Sequence, residues 1–336
     1  MKVSVLIATF NSEATTRATL ESVFRQTVQP DEVLVVDDGS TDTTLDILGS
    51  YKSRITLVVG RHEGVASARN TLCSHAQGEM LAFLDSDDVW HPDYLRHQLS
   101  LADKYPEAVA IFTGHIDFHG TEAFTWPVQE LEEQPQAELI ESRDFFVRYN
   151  SATGTFGSMS YCCLPRRMLQ HLGKEPFQTN GADDFYMLNR ALLWGPTVYA
   201  RHPLVGYRIS AGSISSDRVL NYGQRVLAFE MLQTEYAQVT DRRLSRAFAC
   251  AFASHRRLFS RFLMGVGKVT EAQQQLMLAL LTSTSLKSKA KSALLLCLTY
   301  LPTRLQPAWP SRQRQSPARQ DGRSVSPGVG HQEAQL

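Results

Sequence analysis

Met80-Leu81-Ala82-Phe83-Leu84-Asp85-Ser86-Asp87-Asp88 decides how the rest of the chain is read. Five apolar residues run straight into three carboxylates within four positions. A short, wholly apolar run reads as a strand buried on both faces. The acids past its end then sit at the C-terminal edge of a sheet, where open α/β folds place their ligands. Three carboxylates this close repel one another unless a cation or strong donors hold them. Oxygen-only ligands suit Mg2+ or Mn2+, and Mg2+ typically binds through one or two carboxylates plus substrate phosphates. Taken alone, Asp-x-Asp is explained more simply as an acidic surface turn that caps the next helix.

The residues upstream change that balance. Residues 3–8 are apolar except for Ser4, a second buried strand. Thr9-Phe10-Asn11-Ser12 breaks it, and Asn11 or Ser12 is placed to N-cap a helix carrying Leu20, Val23 and Phe24. Residues 32–36 repeat the strand signal and end in Asp37-Asp38-Gly39-Ser40-Thr41-Asp42. A short helix around Leu45, Ile47 and Leu48, a strand over 55–59 and a helix over 64–76 with Arg69 and Asn70 lead back to the strand ending at Asp85. This alternation over roughly a hundred residues predicts an α/β fold, a doubly wound, mostly parallel sheet with helices on both faces. Two of its strands, at Asp37 and Asp85, end in acidic turns on one sheet edge. One carboxylate there can accept from a base N–H or a ribose hydroxyl while the other turn holds a metal on the phosphates. No G-x-G-x-x-G follows the first strand and no G-x-x-x-x-G-K-[ST] occurs, so neither dinucleotide nor P-loop binding is signalled.

Downstream, a helix starts near Pro92 and a strand covers 109–113. Residues 118–136 read as a loop or short hairpin, and Ser142 is placed to cap a helix carrying Phe145, Phe146 and Tyr149. Residues 154–164 alternate small and apolar, and 166–172 look helical. Asn180-Gly181-Ala182-Asp183-Asp184 opens a helix with Phe185, Leu188, Leu192 and Leu193. Acids at a helix N-terminus are stabilised by its dipole, so capping accounts comfortably for one of this pair.

Four ordered motifs carry a resemblance. Val5-Leu6-Ile7-Ala8-Thr9-Phe10-Asn11, Val35-Val36-Asp37-Asp38-Gly39-Ser40-Thr41-Asp42, Ala68-Arg69-Asn70 and Phe83-Leu84-Asp85-Ser86-Asp87-Asp88 resemble a family 2 glycosyltransferase of the GT-A fold. The resemblance implies that Thr9, Asp37 and Arg69 line a nucleotide pocket, with Asp37 facing the base. It implies Asp85 near the ribose and Asp87 on a metal, Mn2+ or Mg2+, with Asp85 as the other member of the metal pair. The family's acidic pair at a helix start corresponds to Asp183-Asp184, with Asp184 as general base. From the residues alone, Arg69 would be a surface ion pair and Thr9 a cap. Residues 205–215 resemble the segment that often closes this catalytic domain, with Ser210 where many members carry a metal-ligating His.

The implied function is inverting transfer of a sugar from a nucleotide-diphosphate sugar to a hydroxyl of a glycan or lipid-linked acceptor. A sugar-1-phosphate nucleotidyltransferase would carry a Gly-rich basic loop after the first strand, which Thr9-Phe10-Asn11-Ser12 is not. A non-catalytic sugar-nucleotide or glycan-binding module would have no need of Asp85, Asp87 and Asp184 together.

The 336 residues are 43% hydrophobic and 20% charged, as in a soluble globular protein, and the zero net charge gives no field for nucleic acid. Five cysteines, odd in number and without C-x-x-C spacing, read as buried thiols in a reducing compartment. The apolar run after Met1-Lys2 is too short for a signal peptide, which sets the expectation of a cytoplasmic protein. The expected organisation is a catalytic domain over 1–217, with a nucleotide-sugar part over 1–115 and an acceptor part over 116–217. A helical extension follows over 218–301, and then a disordered tail over 302–336. Residues 286–305 combine Lys287, Lys289 and Lys291 with a leucine run, so they either pack as a terminal helix or lie peripherally on the inner face of a membrane.

Overall fold

The structure, a computed structural model, describes residues 1–121, 124–127, 136–150, 158–210, 217–301 and 306–310. Parts of the 118–136 loop, of the 154–164 stretch and of the 205–215 segment lie outside the described residues, as does nearly all of the expected tail over 302–336.

The first half alternates as the sequence predicts. It runs β1 (Val3–Thr9), α1 (Thr16–Phe24), β2 (Glu32–Asp37), α2 (Thr44–Gly49), β3 (Thr56–Val59), α3 (Val65–His75) and β4 (Met80–Asp85). Then come β5 (Val89–Trp90), α4 (Tyr94–Lys104), β6 (Ala110–His119), β7 (Ala137–Ile140) and α5 (Ser142–Tyr149). β8 (Cys162–Pro165), α6 (Leu169–Leu172), α7 (Asp183–Ala191) and β9 (Thr197–Ile209) complete the sheet region. α8 (Arg218–Ala237), α9 (Arg242–Gly265), α10 (Val269–Thr282) and α11 (Leu286–Thr299) form the C-terminal helices.

Nine strands make one sheet, ordered β3-β2-β1-β4-β8-β6-β9-β5, with β7 also on β9. β3, β2, β1 and β4 are mutually parallel, as are β6 and β9. β8 enters antiparallel between β4 and β6, while β5 and β7 run antiparallel to β9. Side chains alternate across a strand, and each face of the central strands is covered. Val5, Ile7, Ala82 and Leu84 pack in a cluster with α1 and α4 residues Leu20, Val23, Leu95 and Leu101. Leu6, Leu81 and Phe83 face the other way, into a cluster with Leu72 of α3, Phe146 of α5, Phe185 of α7, Phe229 of α8 and Phe252 of α9. The C-terminal helices therefore share the sheet's core, with α8 starting at Arg218.

Ser4, the polar interruption of β1, is fully buried. Its hydroxyl donates to Glu32 Oε1 at 2.5 Å and accepts from Gly78 N at 2.8 Å. The caps differ from expectation. Neither Asn11 nor Ser12 caps α1 through its side chain; Asn11, at φ 47°, instead accepts from Thr41 N across the sheet edge. Ser142 does not precede α5 but is its first residue, and its hydroxyl goes to Gly195 O. Of the five free thiols only Cys73, Cys162 and Cys163 are buried, while Cys297 is exposed.

Candidate active site

The parallel register sets the site. Thr9 lies opposite Asp37 and Ala8 opposite Asp85, so the two acidic strand ends flank the end of β1. Thr9 is buried and its hydroxyl has no protein partner. Asp37 is wholly buried and folds back on its own turn, accepting from Ser40 N at 2.9 Å and Ser40 Oγ at 2.5 Å. The Asp37 carboxylate is thus held by its own turn, with a further lone pair left on each oxygen. Its neighbour Asp38 ties the loop before α3, accepting from Glu63 N and Gly64 N at 2.8 and 2.7 Å.

Arg69 is the centre of the arrangement. It is buried on the inner side of α3, not on the surface. One arm donates to Asp85 Oδ1 at 2.5 Å and the other to Asp183 Oδ2. Burial by itself would lower the guanidinium pKa, but the charges of Asp183 and Asp85 more than reverse that, so Arg69 stays a cation. The end of β4 and the start of α7 are thereby joined through one side chain. Asp85 also accepts from Ser158 Oγ at 3.0 Å, and its backbone N–H donates to Ser160 Oγ at 3.0 Å.

The two acids opening α7 have different surroundings. Asp183 is 3% exposed and committed to Arg69. Asp184 is half-buried and accepts from Phe185 N, the amide next to it, at 2.6 Å. Burial, followed by the charge of Asp183, pushes its carboxyl up to about 7, against the pull of Arg69 and Arg225. Arg225 reaches in from α8, its guanidinium carbon 5.2 Å from the Phe185 ring centre. A carboxylate in this state can take a proton near neutral pH.

The remaining acids form the loop after β4. Asp88 is fully buried, and burial followed by the charges of Asp87 and Asp85 raises its carboxyl well above the usual range. It accepts from Arg208 N at 2.8 Å. The Arg208 side chain in turn donates to Asp87 O at 2.7 Å and to Gly120 O, and leaves Nη2 buried without a partner. The end of β9 thus clamps the acidic loop. Asp87 is half-buried, its carboxyl pushed to about 6 by burial and then by Asp85.

Among the described residues no group of three or more His, Cys, Asp or Glu is placed to hold a metal. Asp85 and Asp87 nonetheless supply hard oxygen donors from one loop, and a carboxylate oxygen already hydrogen-bonded keeps a further lone pair. That donor set fits an Mg2+ or Mn2+ whose other ligands are phosphate oxygens and water. Sequence reasoning missed Arg208, Ser158, Ser160 and Arg225. Arg208 stood in a quoted segment, but nothing local shows that it reaches back across |i−j| of 121 to Asp87.

Residues 4–169 match Glycosyl transferase family 2. WfgD of Escherichia coli, a UDP-Glc:alpha-D-GlcNAc-diphosphoundecaprenol beta-1,3-glucosyltransferase, is 42% identical over 101 residues, 30% of this chain and 40% of that protein. EpsH of Bacillus subtilis is 29% identical over 221 residues, 63% of this chain and 62% of that one. The chain spans less than two thirds of the length of these relatives. TarS of S. aureus, residues 1–349 in complex with UDP-GlcNAc, superposes with a TM-score of 0.63 at 18% identity, over 84% of this chain and 81% of that one. The mannosyltransferase PcManGT from Pyrobaculum calidifontis, in complex with GDP-Man and Mn2+, gives 0.55 at 20%, over 89% and 81%. At such identities the likeness is one of fold, and it extends beyond the matched segment into the C-terminal helices. Residues 4–169 therefore match glycosyl transferase family 2, and the fold is of the GT-A type seen in TarS.

Proposed function

We propose that this protein transfers a sugar from a nucleotide-diphosphate sugar to a hydroxyl of a glycan or lipid-linked acceptor, with inversion at the anomeric carbon. The observation that carries the reading is Arg69, which holds Asp85 on the donor side and Asp183, next to Asp184, on the other. Thr9, the turn at Asp37 and Arg69 line the nucleotide pocket, and Asp85 lies nearest the ribose. Fixing the donor this way converts binding energy into placement of the anomeric carbon. Asp184 takes the proton of the acceptor hydroxyl as its oxygen bonds to that carbon and the bond to the diphosphate breaks. Asp87 and Asp85 would hold a divalent cation, which would supply Lewis-acid neutralisation of the departing diphosphate when bound. The names of WfgD and TarS, the one acting on a diphosphoundecaprenol-linked sugar and the other bound to UDP-GlcNAc, support a UDP-sugar donor and a lipid-linked or polymeric glycan acceptor.

The test begins with a thermal-shift panel of nucleotide diphosphates and their sugars, with and without Mn2+, since specific binding raises the midpoint by linkage. The donor found is then offered with candidate acceptors, and release of nucleoside diphosphate is followed while NMR reads the anomeric configuration of the product. Release of pyrophosphate from a nucleoside triphosphate, retention of configuration, or binding without turnover would each defeat the proposal. Asp87→Asn should abolish the metal-dependent part of donor binding without lowering the melting temperature, since the carboxyl it removes is raised by burial.

A further inference from the structure

Helix α11 buries hydroxyl side chains, while Leu295, Leu296 and Leu298 are half-buried and Leu286 and Leu294 exposed. Its buried positions are Ser288, Ser292 and Thr299. Arg257 of α9 donates to Ser288 Oγ at 2.8 Å and to Ser292 Oγ at 3.2 Å, and Gln273 of α10 donates to Thr299 Oγ1 at 3.1 Å. These bonds fix which side faces the protein. At about 100° per residue the opposite side is the row Leu286, Ala290, Leu294 and Cys297, all four exposed. Leu286 is 87% exposed and Leu294 62%. Lys289 falls on one flank of the row, Lys287 and Lys291 on the other, and all three are exposed. At the end of α10, just before this helix, Leu281 is 71% exposed. No helix among the described residues is long and apolar enough to cross a membrane.

A helix that hides hydroxyls and shows leucines to water presents an apolar strip that burial against a second surface would stabilise. We infer that the outward row of α11 and its flanking lysines seat on an anionic lipid surface, the helix lying in the headgroup layer. Lysines on both flanks can bury their methylene stems beside the leucines and lift their ammonium groups to the phosphates. A second copy of the chain is a poorer occupant, because pairing two such rows about a two-fold axis brings six lysines together. The inference concerns where the protein docks, so it stands or falls separately from the reaction proposed above.

The full chain is mixed with large unilamellar vesicles of phosphatidylcholine alone, or with phosphatidylglycerol added, and sedimented. Binding is expected only to the anionic vesicles, and it should weaken as NaCl rises, since added salt screens surface charge. Replacing all three lysines (Lys287→Gln, Lys289→Gln, Lys291→Gln) should weaken it on the order of 100-fold. The pair Leu286→Ser and Leu294→Ser should weaken it about tenfold or more at an unchanged melting temperature. An environment-sensitive fluorophore on Cys297, with Cys250→Ser, should shift to the blue on those vesicles. Equal binding to both lipid compositions, vesicle binding indifferent to both sets of substitutions, or a fluorophore that stays in water would overturn the inference. So would a concentration-dependent dimer that Leu286→Ser dissolves, with no vesicle binding, which would give the row to a second copy.

Discussion

Asp183 and Asp184 are neighbours with opposite fates, and substitutions should separate them. Asp184→Asn removes the proposed base and should slow transfer by about 10²–10⁴-fold while donor binding persists. Asp183→Asn strips a buried guanidinium of one of its two carboxylates. It should destabilise the fold by about 2–4 kcal/mol, read from urea unfolding, and weaken donor binding as Arg69 loosens. The raised carboxyl of Asp184 also has a stability signature. Its folded-state value of about 7 lies above its ordinary 3.8, so the folded chain favours the protonated form. The penalty is absent below the ordinary value, grows between the two, and is complete above about 7. Asp184→Asn should therefore raise the melting temperature at pH 8 and leave it nearly unchanged at pH 4. In the native protein kcat should rise with pH around 7, and Arg225→Gln, which removes a charge that lowers this carboxyl, should move that limb upward. The titratable or charged neighbours of Asp184 are Asp183, Arg69, Arg225, Tyr149 and Cys162, and only Arg225 comes from the C-terminal helices.

The elements legible in the sequence were those buried on both faces or strongly periodic. β1, β2 and β4 announce themselves because, apart from Ser4 and the polar residues at their ends, their side chains are apolar, and nearly every one is buried. β7 carries two exposed residues in four, β8 is a four-residue run ending in proline, and β9 is broken by Arg201, His202 and Pro203. Those three strands are held by pairing partners far away in sequence, which no local pattern encodes. Arg69 shows the same limit at the site: the motif marks the residue, but its partners lie 16 and 114 positions away. α11 misleads in another way, since its hydroxyl residues Ser288, Ser292 and Thr299 are the buried ones. The loop before α3 offers a test at this scale. Gly64 sits at φ +96°, and a Cβ there would lie 2.3 Å from the Asn180 amide that accepts from Ala66 N. Gly64→Ala should destabilise by about 1–3 kcal/mol through backbone strain and crowding. Adding Asn180→Gly should recover the crowding part but not the strain, a non-additivity visible in a double-mutant cycle.

At the scale of the whole molecule, the C-terminal helices divide into two kinds. α8 and α9 complete the core: Phe229 stands edge-on to Phe185 at 5.3 Å, and Phe248 lies 6.3 Å from Phe146. A chain ended after residue 217 would leave Phe146, Phe185 and Tyr149 facing water. It should lose its cooperative thermal transition and bind hydrophobic dyes. A chain ended after Ser285 loses α11 and Trp309, which packs on Leu263, Met264 and Ala272 outside the sheet's core, and should melt within a few degrees of the full protein and keep its donor site. Circular dichroism melts of the two truncations check the contrast.

The bond between Arg69 and Asp183 also has a consequence in time. A ribosome adding about 5–20 residues per second delivers Asp183 roughly 6–23 s after Arg69, given their separation of 114. Through that interval the guanidinium has Asp85 but not its second partner, and a cation so deeply buried is tolerated only when paired. α3 therefore seats fully only once α7 has been made. The full pairing of Arg69 on the donor side is thus completed only when the proposed base next to Asp183 has also been made.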